Sequence, residues 1–315
     1  MLSYFITGPF LYISIIVCVS AVAYKVLSYQ KMPRHLRWDL YPVPHQGPEG
    51  SKYQKVDFYK KPAVFSKPHE MIAMSQEMIF IKKAFVHNRR LWVGTWPLHM
   101  GIYLSGVWLA LLVVGAIFGI QGETVNISTN ILAWGIAKLT VIVGAAAFIM
   151  GLFGSLVLLW LRYSDDDLRY IADLVTYFNL YLMAALFLSG LLAWTMVDPF
   201  FDVIRNHVAA LMTFQGSSVN EPLVVLEILV FGIFLLYLPF SRMMHFAAKY
   251  FFYHNIMWDD EAMVPHSALE QDIQKSLQYK LRWSSGHIVT GKAWTEQEGE
   301  QTKEGEKQHE KTSSH

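Results

Sequence analysis

The sequence predicts an all-α integral membrane protein, a five-helix bundle with its N-terminus outside and its C-terminus cytoplasmic. Three observations carry this. First, 53% of the 315 residues are apolar and only 16% are charged, against about 25% charged in an ordinary soluble domain. Second, the apolar residues gather into five blocks, each matching the about 20 residues needed to cross a hydrocarbon layer about 30 Å thick. Third, Lys and Arg are spread unevenly between those blocks. Without water, every backbone N–H and C=O of a single span must be paired within it, so each block is read as a helix.

The blocks follow in order. Residues 4–28 run from Tyr4 through an Ile/Val/Ala-rich stretch to Leu27. This block is longer than the apolar region of a signal peptide and no A-x-A-like cleavage site follows it, so the sequence reads it as retained. Residues 93–119, 131–161, 170–197 and 222–252 come next, rich in Leu, Val, Ile, Phe and Gly and nearly free of charge. Between the first and second blocks lie 12 Lys and Arg residues, and Gln121–Asn130 carries none. Arg162 and Arg169 separate the third and fourth blocks, Arg205 stands alone between the fourth and fifth, and Arg242 and Lys249 come at the end. Basic residues stay on the cytoplasmic side. The alternation therefore predicts the stated topology, in the cytoplasmic (inner) membrane.

The remaining segments are polar. Residues 29–92 form an expected cytoplasmic loop, with Pro33, Trp38 and Tyr41–Pro44 ahead of an amphipathic helix over roughly 69–90. Residues 93–252 are read as the membrane bundle, and 253–290, with Asp259 to Glu261, as a cytoplasmic docking segment. Residues 291–315 are Glu-, Lys- and Gln-rich and read as disordered. One cysteine, Cys18, cannot make an internal disulfide or hold an iron–sulfur cluster. Nothing in the composition suggests a nucleic-acid partner. The lipid bilayer is the first partner implied.

The candidate chemistry lies in the histidines. Of 12, only His99 and His245 fall inside apolar blocks. They sit near the cytoplasmic start of the second span and the cytoplasmic end of the fifth, which run in opposite directions. The two imidazoles are therefore expected at similar depth. Ionisable groups in spans are costly and mark functional sites. One imidazole from each of two helices is the axial pair of an electron-transferring haem. The plain alternative is an interhelical hydrogen bond or a headgroup contact for each. Gly94, Gly101 and Gly106 thin the second span, as close approach of a macrocycle or a neighbouring helix requires. Arg242, one turn before His245, either faces a haem propionate or anchors the span at the interface.

His99-Met-Gly-Ile-Tyr-Leu-Ser-Gly106 and Leu238-Pro-Phe-Ser-Arg-Met-Met-His245 resemble the two haem-ligand segments of the respiratory nitrate reductase gamma subunit family. The likeness covers spans two to five. It implies a five-span, N-terminus-out cytochrome b that exchanges electrons with membrane quinone and passes them to a cytoplasmic iron–sulfur partner. It implies His99 and His245 as ligands of a haem b nearer the cytoplasm. Where the family places its second pair of ligands, this chain has Leu109 and Glu227, so one haem b is expected. The basic loop 29–92 and the run from Ala247 to Asp260 look more like the cytochrome b subunits of transmembrane redox complexes of sulfate-reducing microbes. That likeness implies a cytoplasmic partner resembling the heterodisulfide reductase iron–sulfur subunit, within an anaerobic respiratory complex with other membrane or periplasmic redox subunits.

Lys138 in span three and Glu227 in span five are both placed in the outer part of the bundle. They either pair with each other or bind and protonate a quinone (menaquinone or another), and the family resemblance implies a lysine near the Lys138 position in the quinol pocket. The plain alternative is a snorkelling lysine and a structural ion pair. Asp173 is read as a helix-start charge. Trp96, Trp108, Trp134, Trp160 and Trp194 are assigned mostly to interfacial belts. Loop 29–92 and segment 253–290 are read as the docking platform for the cytoplasmic partner, or else as a lipid-binding basic surface. Two further functional classes compete: a proton-conducting transporter, and a membrane anchor without haem.

Overall fold

In the computed structural model the described residues are 1–32, 56–57, 60, 67–127, 129–216, 219–256, 264–285 and 288–297. Among them the chain is all-helical, with five helices long and apolar enough to cross a membrane. Helix α1 (Leu2–Phe5), a π-helical turn (Ile6–Phe10) and α2 (Leu11–Gln30) form the first candidate span. Helices α3 (Lys67–Ile79) and α4 (Lys82–His87) follow. The long helices α5 (Arg89–Ile120) and α6 (Ile131–Ser164) are the second and third spans. A short α7 (Asp166–Tyr170) leads to α8 (Leu174–Met196), the fourth. Then come α9 (Asp202–Met212), α10 (Pro222–Tyr237), α11 (His245–Ile256) and α12 (Ala268–Leu277).

The amphipathic stretch divides into α3 and α4 because Ile81 adopts the left-handed region, with φ 50°. A β-branched residue there breaks a continuous helix. The fifth block is likewise not one helix from 222 to 252. The span ends at Phe240, and two 3₁₀ turns (Leu238–Phe240 and Arg242–Met244) separate α10 from α11. Pro239 lacks an N–H and clashes with the preceding turn, so α10 stops there. The stretch Pro33–Pro44 and Asp259–Glu261 lie outside the described residues, as do residues 298–315.

The chain divides into two compact units. The first (Met1–Ala23 and Ile72–Met244) is a bundle in which α5 packs on α6, α6 on α8, α8 on α10, and α10 on the π-helical turn, while α9 lies on α5. In lipid, apolar side chains gain little from leaving the solvent, so helices associate through close packing of small residues. The α5–α6 contact is built that way. A Cβ placed on Gly101 would lie 2.5 Å from the backbone of Gly151, and one on Gly94 would lie 2.9 Å from Leu158. Phe187 of α8 packs against Gly151, and Phe10 of the first span against Gly232 of α10. Side-chain caps hold the starts of these helices: Asn88 for α5, Asn130 for α6 and Asp173 for α8 each accept a backbone N–H.

The second unit holds Tyr24–Met71 and His245–His315. Ser267 and Glu270 cap α12 reciprocally, the serine accepting from Glu270 N–H and the glutamate from His266 N–H. After α12 the chain turns back on itself through antiparallel bridges Lys280–Ala293 and Ser285–Ile288. Leu269, Leu281, Ile288 and Ala293 are buried beneath it. Residues 291–297, grouped with the polar tail on composition, complete this turn: the Gln297 side chain closes on both backbone groups of Val289.

Candidate functional site

Two regions of the bundle carry polar chemistry. At one, His99 lies on α5, one turn after Thr95. Its Nδ1 is 2.8 Å from the Thr95 carbonyl oxygen. A carbonyl can only accept, so Nδ1 carries a proton, and in the neutral form of such a ring the lone pair lies on Nε2. A backbone carbonyl holding one ring nitrogen so that the other faces outward is the usual support of a metal-ligating histidine. Gly106, seven residues on, shares the face of α5 with His99 because seven residues are nearly two turns. A Cβ on Gly106 would meet nothing within 4 Å. Gly94 and Gly101, by contrast, serve the α6 contact rather than a cofactor. Tyr103 stands edge-on to His99 at 6.4 Å and donates to the Met78 carbonyl, which ties α3 to α5 beside the imidazole.

His245 opens α11, five residues beyond the end of span five, and its side chain is exposed. It belongs to the second unit, whereas His99 belongs to the first. Because of the break at 238–244, Glu227 and His245 do not lie on one continuous helix. Arg242 reaches Asp173, with Nη2 2.5 Å from the carboxylate. Asp173 caps α8 through Thr176 N–H and Thr176 Oγ1, as a helix-start charge does. The Thr176 hydrogen bonds and the Arg242 guanidinium hold its carboxyl down at about 2.

The second region gathers α9, the start of α10 and the π-helical turn. The sequence contributed only Glu227 here. The structure adds Asp198, Arg205 and His207, all buried. Asp198 accepts from Asp202 N–H and Ile204 N–H, which fixes the start of α9. Burial raises its carboxyl above the ordinary range, and the Asp202 charge adds to this. Arg205 pairs with Asp202 at 2.6 Å and donates to the Phe200 carbonyl at 3.1 Å. His207 is 2% exposed, and neither ring nitrogen has a hydrogen-bond partner. Burial pushes the imidazole below its ordinary value, and the nearby Thr7 backbone opposes that shift only in part. Glu227 is 8% exposed, makes no hydrogen bond, and lies within electrostatic reach of Asp198.

A buried imidazole with both nitrogens unpartnered is unusual, since burying such a group without a partner costs about 1–3 kcal/mol. The adjoining π-helical turn, carrying Pro9, is a type of irregularity that recurs at functional sites. His207 had a legible signal. Ile204, His207, Val208 and Leu211 follow the i, i+3, i+4, i+7 pattern of a buried helix face, but the segment lies outside the five apolar blocks.

Lys138 and Glu227 do not pair. The Lys138 ammonium lies over the Trp134 and Phe200 rings at 5.7 and 5.8 Å, a cation–π cradle. Trp108 is not interfacial: it is 6% exposed and packs edge-on against Phe148 and Phe201. Among the described residues no group of three or more His, Cys, Asp or Glu is placed to hold a metal ion. Comparison with family models, with curated proteins and with solved structures returned no match to this chain.

Proposed function

We propose that this chain is the membrane cytochrome b subunit of an anaerobic respiratory complex in the cytoplasmic membrane, carrying electrons between the quinone pool and a cytoplasmic iron–sulfur partner. The observation that supports it most is the His99 contact: Nδ1–H donates to the Thr95 carbonyl, and a neutral ring held this way would offer Nε2 to a metal. His99 and His245 would hold one haem b, a pairing that rests on their sequence positions and on the family resemblance. A haem held by these two imidazoles would supply one-electron transfer and no bond chemistry of its own.

The quinone site belongs with the buried group of α9 and α10. Quinol oxidation releases two protons along with two electrons, so a chain that oxidises quinol needs buried groups able to accept a hydrogen bond and a proton. His207 and Glu227 are such groups, with Asp198 beside them. Lys138 is the further candidate for a quinone oxygen. The partner is a subunit resembling the heterodisulfide reductase iron–sulfur protein, with other membrane or periplasmic redox subunits in the same complex.

The test is a dithionite-reduced minus oxidised spectrum of the purified chain, with a pyridine haemochrome assay. One haem per chain is expected. A folded, colourless chain removes the proposal. It would favour a second reading, a proton conductor, for which the buried Asp198, His207 and Glu227 are the supporting observation. Quinone-site residues are tested separately: His207→Ala and Glu227→Gln should weaken binding of a quinone analogue while leaving haem content unchanged.

A further inference from the structure

The second unit carries a feature that the electron-transfer reading does not use. A cavity of about 840 Å³ opens where α2 ends, lined by Lys31, Tyr279, Lys280, Arg282 and Thr290 with the Gly291 turn. Three lining residues are cations and none is acidic. Among the described residues none of the three makes an ion pair. Gly291 takes φ +89°, a conformation open to glycine at no steric cost, and this turn brings Thr290 back to the cavity.

Position in the chain says what such a cavity meets. Lys31 directly follows Gln30, the last residue of the first span. A span that ends at Gln30 would put Lys31 where the chain leaves the hydrocarbon layer, at the level of the lipid phosphates. The module that supplies the other lining residues exposes aromatic rings beside them: Tyr279 is 44% exposed, Trp283 48% and Trp294 37%. Trp and Tyr with one apolar and one polar edge favour the same headgroup level. Cations and exposed aromatic rings around one cavity, at the end of a span, match a phosphate group with acyl chains attached. A free anion in water would need the cations but not the rings.

We infer that this cavity binds the headgroup of an anionic phospholipid, and that Lys31, Lys280 and Arg282 contact its phosphate. The inference is independent of whether the bundle holds haem. A bound lipid would fasten the C-terminal module to the membrane surface, leaving that module's position sensitive to lipid charge.

The experiment uses the full-length chain in an uncharged detergent. Phosphatidylglycerol, phosphatidylcholine and inorganic phosphate are titrated separately, and bound lipid is counted by native mass spectrometry. Phosphatidylglycerol should bind in preference to phosphatidylcholine, and salt should weaken it. Each cation near an anionic lipid surface contributes roughly a fivefold effect, so K31Q/K280Q should weaken binding about 25-fold. The matched double variant K82Q/K83Q, which removes the same charge elsewhere, should leave it within about twofold. Equal binding of the two lipids, an equal loss in K82Q/K83Q, or full displacement by inorganic phosphate at the same concentration overturns the inference. If K31Q/K280Q does not fold, the lipid preference and salt dependence of the unaltered chain still decide it.

Discussion

Replacing His207 with leucine separates what a residue does for the fold from what it does for binding. In the native bundle the imidazole is 2% exposed and neither nitrogen is paired. Each unpartnered polar group costs about 1–3 kcal/mol, so the ring carries a penalty of about 2–6 kcal/mol. Leucine removes that penalty, and imperfect fit of its branched end returns about 1–3 kcal/mol. The net expectation is a gain of about 1–3 kcal/mol, read as a rise of a few degrees in Tm. Acidification adds a second signature. Burial lowers the folded-state value of His207 below 6.5, so below about pH 6.5 the unfolded chain binds a proton that the native chain does not. The native protein therefore loses stability as pH falls through that range, by at most about 1.4 kcal/mol per pH unit. His207→Leu loses this dependence. Asp198 titrates in both proteins and cancels in their difference. Thermal unfolding in detergent at pH 7.5 and 5.5 measures the effect, with quinone-analogue binding measured in parallel. The variant should be more stable, increasingly so at the lower pH, and should bind the analogue poorly. A variant less stable at both pH values would mean that the imidazole is partnered, and the binding-site argument would fall with it.

His99→Ala and His245→Ala should each abolish the haem difference spectrum, whereas His254→Ala should retain it; a spectrum surviving either of the first two changes moves the ligand assignment elsewhere. Because Leu109 and Glu227 stand at the second pair of ligand positions, haem assay per mole of chain should return one, and a value of two would show that other residues ligate. Gly101→Val should destabilise the bundle by about 1–3 kcal/mol or more, since even a Cβ there approaches the Gly151 backbone to 2.5 Å. Gly106→Ala, with open space around it, should leave the Tm of the haem-free chain within about 1 °C, and an equal loss in both variants would contradict the α5–α6 packing.

Spans were legible from hydropathy because lipid leaves a single segment no alternative to the helix, and the five helices fall close to the five blocks. Their ends were less so. Pro239 announces a break, but only its position between two 3₁₀ turns shows that His245 opens a new helix. Asp173 was readable as a helix start, since a carboxylate before an apolar run caps it. Trp108 was not readable as core: its neighbours Phe148 and Phe201 come from distant parts of the chain. The same holds for the Lys138 cradle, whose Phe200 ring comes from beyond α8.

By itself the sequence determined the all-helical, membrane-spanning class, and it singled out His99 as a polar residue in an apolar setting. Only the tertiary structure decided which polar groups share a neighbourhood: Asp198 near Glu227, His207 beside Thr7, Arg242 on Asp173, and Lys138 over Trp134 and Phe200. The physical reason is that crossing a bilayer is a requirement on each segment alone, met by local composition. Lateral packing in lipid has no comparable apolar driving force, and depends on which small residues let two particular helices touch.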